Sequence, residues 1–310
     1  MLFRSRGHPG VAGRAGLGDR ALLPELVDAA SLHTAYATES TAFELTFILG
    51  PPLALAIASV WSTSASLLVS AALLAASTLL FAAQPVSRHW RPRSSGHTAR
   101  RGGAIRSPGI RTFIIVLTMA GGVFGVVDVA LPAALKALHN TAAAGPVLGL
   151  WGFGSLIGGL VVARFFKPAL VGPRGLLVLL VLLGSLHGAL SGTTSHLAAM
   201  AVVVTLAGAT IAPTYTNIYS AVDGFAPPGT ATEAFSWLES AVSAGSAGGS
   251  ALAGVLVQDY GSGKTFLAAA AFGLCAVIVT AARFSTIDRA KDAKPQLLEH
   301  DAATPAQMMQ

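Results

Sequence analysis

Charge is what this sequence has least of. Lysine, arginine, aspartate and glutamate make up 11% of its 310 residues, whereas a soluble domain carries about a quarter to cover its surface. A water-facing globule is thereby excluded, and the 53% of apolar residues need another solvent. Cysteine occurs once, as Cys275, so one chain holds no disulfide framework and no zinc–thiolate cluster. No cleavable secretory signal is expected in residues 1–20, which are rich in Arg and Gly and contain no apolar core.

What is there is hydrophobic length. Eight apolar segments run at about 43–61, 65–84, 112–135, 144–163, 175–191, 197–219, 235–257 and 265–282. Each is close to the ~20 residues that carry a helix across ~30 Å of hydrocarbon. Short links join most of them, so the expected fold is an all-α integral membrane protein, one bundle of eight helices in a lipid bilayer. The 34 glycines suit that setting, because small residues let membrane helices approach closely.

The basic residues divide by side. Arg4, Arg6, Arg14 and Arg20 precede the first segment, seven arginines from Arg88 to Arg111 follow the second, Arg164, Lys167 and Arg174 follow the fourth, and Arg283, Arg289, Lys291 and Lys294 follow the eighth. Alternate links hold only Lys136 and Lys264. Lysine and arginine collect on the cytoplasmic side, so a multi-pass protein of the cell membrane with both termini cytoplasmic is expected. The net charge of +6 is then a topology signal and implies no nucleic-acid partner, which would need a basic face on a folded soluble element. The chain divides into a cytoplasmic segment 1–40, with residues 21–42 a candidate helix and Asp28 its candidate N-cap. Two helices follow in 41–84, a basic loop in 85–111, a six-helix unit in 112–284 and a polar tail in 285–310, expected to be disordered.

Residues 35–61, AYATESTAFELTFILGPPLALAIASVW, resemble the fifth helix of the major facilitator superfamily. Gly50, Pro51 and Pro52 match a Gly-Pro pair common there, without the surrounding glycines of the drug:proton antiporter motif. The stretch 85–111 resembles the central loop between that family's two six-helix halves. Residues 154–174, GSLIGGLVVARFFKPALVGPR, are similar to the second copy of its loop signature through Gly158, Gly159 and Arg164, with the acidic residue missing. TEAFSWLESAVSAGSAGGSALAG at 232–254 resembles the eleventh helix. The resemblance covers about 21–284 and leaves the first four helices of the family without a counterpart. It implies one complete half of a two-half transporter plus the end of the other, with substrate between the halves near the midplane.

Within the segments the ionisable acids and bases reduce to Glu44, Asp128 and Glu239, beside one histidine, His187. No nucleophile–base pair or metal cluster can be built from them, so the chain is expected not to be an enzyme and to use no cofactor or metal. A charge at membrane depth costs about 2.5–3.5 kcal/mol even on the lenient scale, and it usually faces the bundle interior or a water path. Asp128 lies ~24 Å along its helix at 1.5 Å per residue. It shares a face with Thr118, Gly121 and Gly125. A carboxylate contacting substrate or protons and a plain interhelical hydrogen bond both fit it. Glu239 belongs to a stripe with Ser236, Ser243, Ser246 and Ser250, readable as a cavity lining or, with Gly245 and Gly249, as tight helix packing. Glu44 sits just inside the first segment. Pro213 should kink its helix, and the cluster Tyr215, Asn217, Tyr219 that follows is a candidate substrate contact or interfacial belt. Trp151 either packs or lines the cavity, and His187 is expected to be hydrogen-bonded rather than a proton relay.

Gly261-Ser-Gly-Lys-Thr265 resembles the end of a phosphate-binding loop, but Gln258 stands where the motif needs its first glycine. ATP is therefore not an expected partner. What the resemblance implies is a secondary active transporter working by alternating access, with export of a small organic solute the expected activity and protons a candidate coupling ion. The other reading is a non-transporting truncated membrane protein or accessory subunit.

Overall fold

Every long described segment is helical, and no strand occurs among the described residues. A helix bonds its backbone within one segment, as hydrocarbon requires, and an open strand does not. The structure is a computed structural model describing residues 50, 53–54, 56–58, 60–83, 103–166, 170, 172–227, 230–285 and 287. In chain order, α1 is Thr63–Ala83, α2 Pro108–Ala137, α3 Ala144–Val161, α4 Pro173–Ala189, α5 Leu197–Gly208, α6 Ile211–Phe225 and α7 Ala231–Ala282.

Local chemistry sets the boundaries. α2 starts at Pro108 rather than 112, inside the stretch expected to be loop. Ser107 caps it by accepting from the Ile110 N–H at 3.5 Å, and Pro108 occupies the first turn, where no N–H is needed. α5 and α6 form one membrane-length unit, Leu197–Val222, interrupted at 209–210. Pro213 accounts for the break, since it has no N–H to offer the Ala209 carbonyl and its ring crowds that oxygen.

α7 has 52 residues, far more than one crossing needs. It breaks at Gly261, whose φ of 79° and ψ of 163° fall in a region open essentially to glycine alone. We call the limbs α7a, before Gly261, and α7b, after it. Gly122 of α2 meets both Gly249 and Phe272, so the limbs fold back antiparallel. Among the described residues six helices can cross a membrane by length and composition, α7 supplying two crossings; this is a multi-pass membrane protein. The expected segment 43–61 falls largely outside the described residues, so the count of eight is not established.

The six crossings from α2 to α7b are held by three glycine seams. On α2, a Cβ at Gly121 would strike the Val242 carbonyl of α7a, and one at Gly125 the Ser246 carbonyl. From the other side, Gly245 lies on the Thr118 carbonyl and Gly249 on that of Gly122. Ser250 Oγ donates across the same seam to Gly125 O at 3.1 Å. A second seam joins α3 to α5: Gly154 lies on the Thr205 carbonyl, Gly158 on that of Ala209 and Gly208 on that of Trp151. The third joins α4 to α7b through Gly184 against Gly273 and Gly188 against Ala270. Lipid offers no hydrophobic drive between helices, so backbone contact of this kind does the holding.

Numbering the crossings one to six, the seams pair one with five, two with four, and three with six. Exchanging the first three crossings with the last three maps this set onto itself, as an internal three-plus-three repeat requires. Gly172 extends the correspondence. It precedes the third crossing as Gly261 precedes the sixth, and its φ of 98° and ψ of −174° match the same glycine-only region.

Outward faces are apolar: Phe153, Leu160, Val181, Val202, Leu267 and Ile278 are all exposed, as a lipid-facing surface demands. α1 differs from the bundle. Its Leu67, Leu68, Leu73, Leu74, Leu79 and Leu80 are each about two-thirds exposed.

Candidate functional site

A chain of aromatic rings links five of the six crossings. It starts at His187, fully buried on α4. The indole N–H of Trp151, on α3, donates to His187 Nε2 at 3.0 Å, and His187 Nδ1 lies 2.7 Å from the Leu183 carbonyl. Indole can only donate. Nε2 is therefore the acceptor, and the proton sits on Nδ1, bonded to Leu183. The neutral ring has both nitrogens in use, and a second proton on Nε2 would face the indole N–H.

Phe124 of α2 connects this pair to the rest. Its ring meets Trp151 edge-on at 5.7 Å and stacks on Tyr215 of α6 at 6.1 Å and 15°. Tyr215 meets Tyr219 at 5.4 Å, and Tyr219 meets Phe235 of α7a at 5.5 Å, both edge-to-face. These separations lie in the range favoured by ring quadrupoles. The Tyr219 hydroxyl donates to Glu239 of α7a.

The rings climb the bundle in order. α2 and α7a run parallel from the end rich in arginine, where the Ala104 N–H bonds Glu233. α6 runs back to that end, Phe225 packing on Phe113. Glu239 stands eight residues into α7a, ~12 Å from its start, and Asp128 twenty residues into α2, ~30 Å from its start. Tyr219, Tyr215 and Phe124 come between, and Asp128 is one turn beyond Phe124. The three rings Tyr219, Tyr215 and Phe124 thus lie between two carboxylates about 20 Å apart along the axis, and this stretch forms an aromatic ladder, with Trp151 and His187 branching from Phe124. Asp128 and Glu239 are both exposed, and Asp128 makes no hydrogen bond or ion pair among the described residues.

The expected site residues fall into distinct places. Thr118, Gly121 and Gly125 press against α7a, leaving Asp128 exposed at the edge of their face. The serine stripe divides likewise: Ser246 and Ser250 lie in the seam, while Ser243 is exposed. Tyr215 and Tyr219 join the ladder. Asn217 does not; it is buried and its Nδ2 donates to the Leu170 and Gly172 carbonyls, pinning the link before α4 to α6. Gly158 is a seam residue, Gly159 touches Ala212, and Pro213 is buried at the α5–α6 break. Arg164 is exposed with its guanidinium 5.2 Å from the Phe165 ring centre, in a π-turn extending α3. Gly50 has open space around it. Glu44, Pro51 and Pro52 lie outside the described residues.

Sequence reasoning passed over Phe124, the ring that joins the two halves of the ladder. Its signal was present as the four-residue step from Phe124 to Asp128, which places both on adjoining turns of one side of α2.

Compared with known proteins, the chain matches the model of one family, described as Major Facilitator Superfamily, over residues 20–233. No curated protein and no solved structure matches it.

Proposed function

From the premise that the chain belongs to the major facilitator superfamily, we propose that it is a secondary active transporter exporting a small organic solute across the cell membrane by alternating access. In this reading both termini are cytoplasmic, as the arginines at one end of the bundle indicate. The ladder face is the solute path. The carrying observation is a polar and aromatic line, with carboxylates at both ends, on crossings whose other exposed faces are apolar. Exposed acids at membrane depth are expensive and mark substrate or proton routes. We assign Asp128 the coupling proton, because it is the one of the two carboxylates without a hydroxyl holding it.

The test is flux. Purified protein in liposomes with an imposed pH gradient, carrying an internal pH dye, is challenged with a panel of organic solutes. A solute that moves while collapsing the gradient supports the reading, and Asp128→Asn should abolish the proton movement. Unchanged proton-coupled flux in that variant removes Asp128 from the mechanism. Absence of flux for the whole panel favours the non-transporting reading.

A further inference from the structure

We propose that the ladder face selects a lipophilic monovalent organic cation. The inference rests on the reading of this face as the solute path and adds the chemical class of the solute.

Three observations carry it. First, the charge is of one sign. Glu239 and Asp128 bracket the ladder, and among the described residues lysines and arginines lie near helix ends, as Arg111, Lys136, Arg164, Arg174, Lys264 and Arg283 do. His187, the one titratable base at this depth, already uses both ring nitrogens. An anionic solute would meet two carboxylates with no cation to offset them.

Second, the surface between the acids is aromatic. Phe124, Tyr215 and Tyr219 are partly exposed and supply successive rings. A cation over a ring face is attracted by its quadrupole, the more so where water is scarce. A sugar would instead need convergent hydrogen-bond donors and acceptors. The Asn217 amide, two residues from each tyrosine, donates to the backbone of the link before α4.

Third, the carboxylate at the arginine end is oriented. Tyr219 donates to Glu239 and leaves lone pairs of an exposed carboxylate for a ligand.

The test uses two ions of one shape and opposite charge, tetraphenylphosphonium and tetraphenylborate. Equilibrium dialysis is run on the full chain in a non-ionic detergent. Tetraphenylphosphonium should bind saturably, with tetraphenylborate a poor competitor. Tyr215→Leu should weaken binding roughly tenfold, the order of one ring contact in a desolvated site. Glu239→Gln should weaken it at least as much, and Glu239→Asp should restore part of it. Glutamine still accepts from the Tyr219 hydroxyl, so this variant keeps the local bond, and an unchanged elution volume checks its fold. The proposal is overturned if tetraphenylphosphonium does not bind saturably, if tetraphenylborate competes equally, or if binding ignores both substitutions. Binding without flux in liposomes would retain the cation site and remove the transport reading; flux of other solutes without binding would do the reverse.

Discussion

The two sides of α2 make opposite use of the same membrane. Toward α7a the helix shows glycine, and the backbones close until Gly121 and Gly125 sit on the Val242 and Ser246 carbonyls. A few tens of degrees around the helix it shows Phe124 and Asp128, and there the surface stays open. α7a repeats the contrast, with Gly245 and Gly249 in the seam and Glu239 and Ser243 exposed. In lipid, helices associate through close packing and interhelical hydrogen bonds rather than hydrophobic burial. Positions without side chains therefore become structure, and positions with large polarisable ones are free for recognition.

The contrast is broken most severely by filling a seam. Gly125→Leu puts a branched side chain where the Ser246 carbonyl and Ser250 N–H already lie. Overpacking a tight contact costs roughly 1–3 kcal/mol, and backbone on the far side cannot rotate away, so the upper end applies. The expected outcome is a large fall in the thermal midpoint in detergent, or no monodisperse protein. A midpoint equal to wild type would mean that the seam does not hold the bundle.

The Trp151–His187 bond lies where seam and ladder meet, since the Trp151 carbonyl faces Gly208 while its indole reaches His187. Trp151→Phe leaves His187 Nε2 buried without its donor, a loss of about 1–3 kcal/mol. Combining it with His187→Phe removes both partners. The double variant should then be no less stable than Trp151→Phe alone, and a strictly additive double loss would show that the bond contributes little.

Much of this division could be read in the sequence, for physical reasons. Gly245 and Gly249 announced a packing face by spacing alone, and Asp128 and Glu239 stood out because charge at membrane depth is rare. Assigning serines Ser243 and Ser250 to different surfaces needed the crossing geometry of α2 on α7a, which local spacing does not contain. The ladder was hidden for the same reason: Phe124, Trp151, Tyr215 and Glu239 lie on four crossings. Asn217 illustrates the converse, a polar group near the tyrosines in sequence but turned to the backbone before α4. The start of α2 was missed by four residues because the Ser107–Pro108 cap lies at the edge of the arginine-rich loop.

The smallest expected effect on folding gives the sharpest comparison. Tyr219→Phe keeps the ring contacts with Tyr215 and Phe235 and deletes the hydroxyl that donates to Glu239. That bond is exposed, so Glu239 can turn to solvent or ligand, and the stability change should not exceed about 1 kcal/mol. The thermal midpoint should stay near the wild-type value while solute binding changes, since Glu239 loses its orientation. A drop approaching that of Gly125→Leu would place Tyr219 in the closed part of the bundle. Seam and ladder would then be one packed core rather than two surfaces with different work.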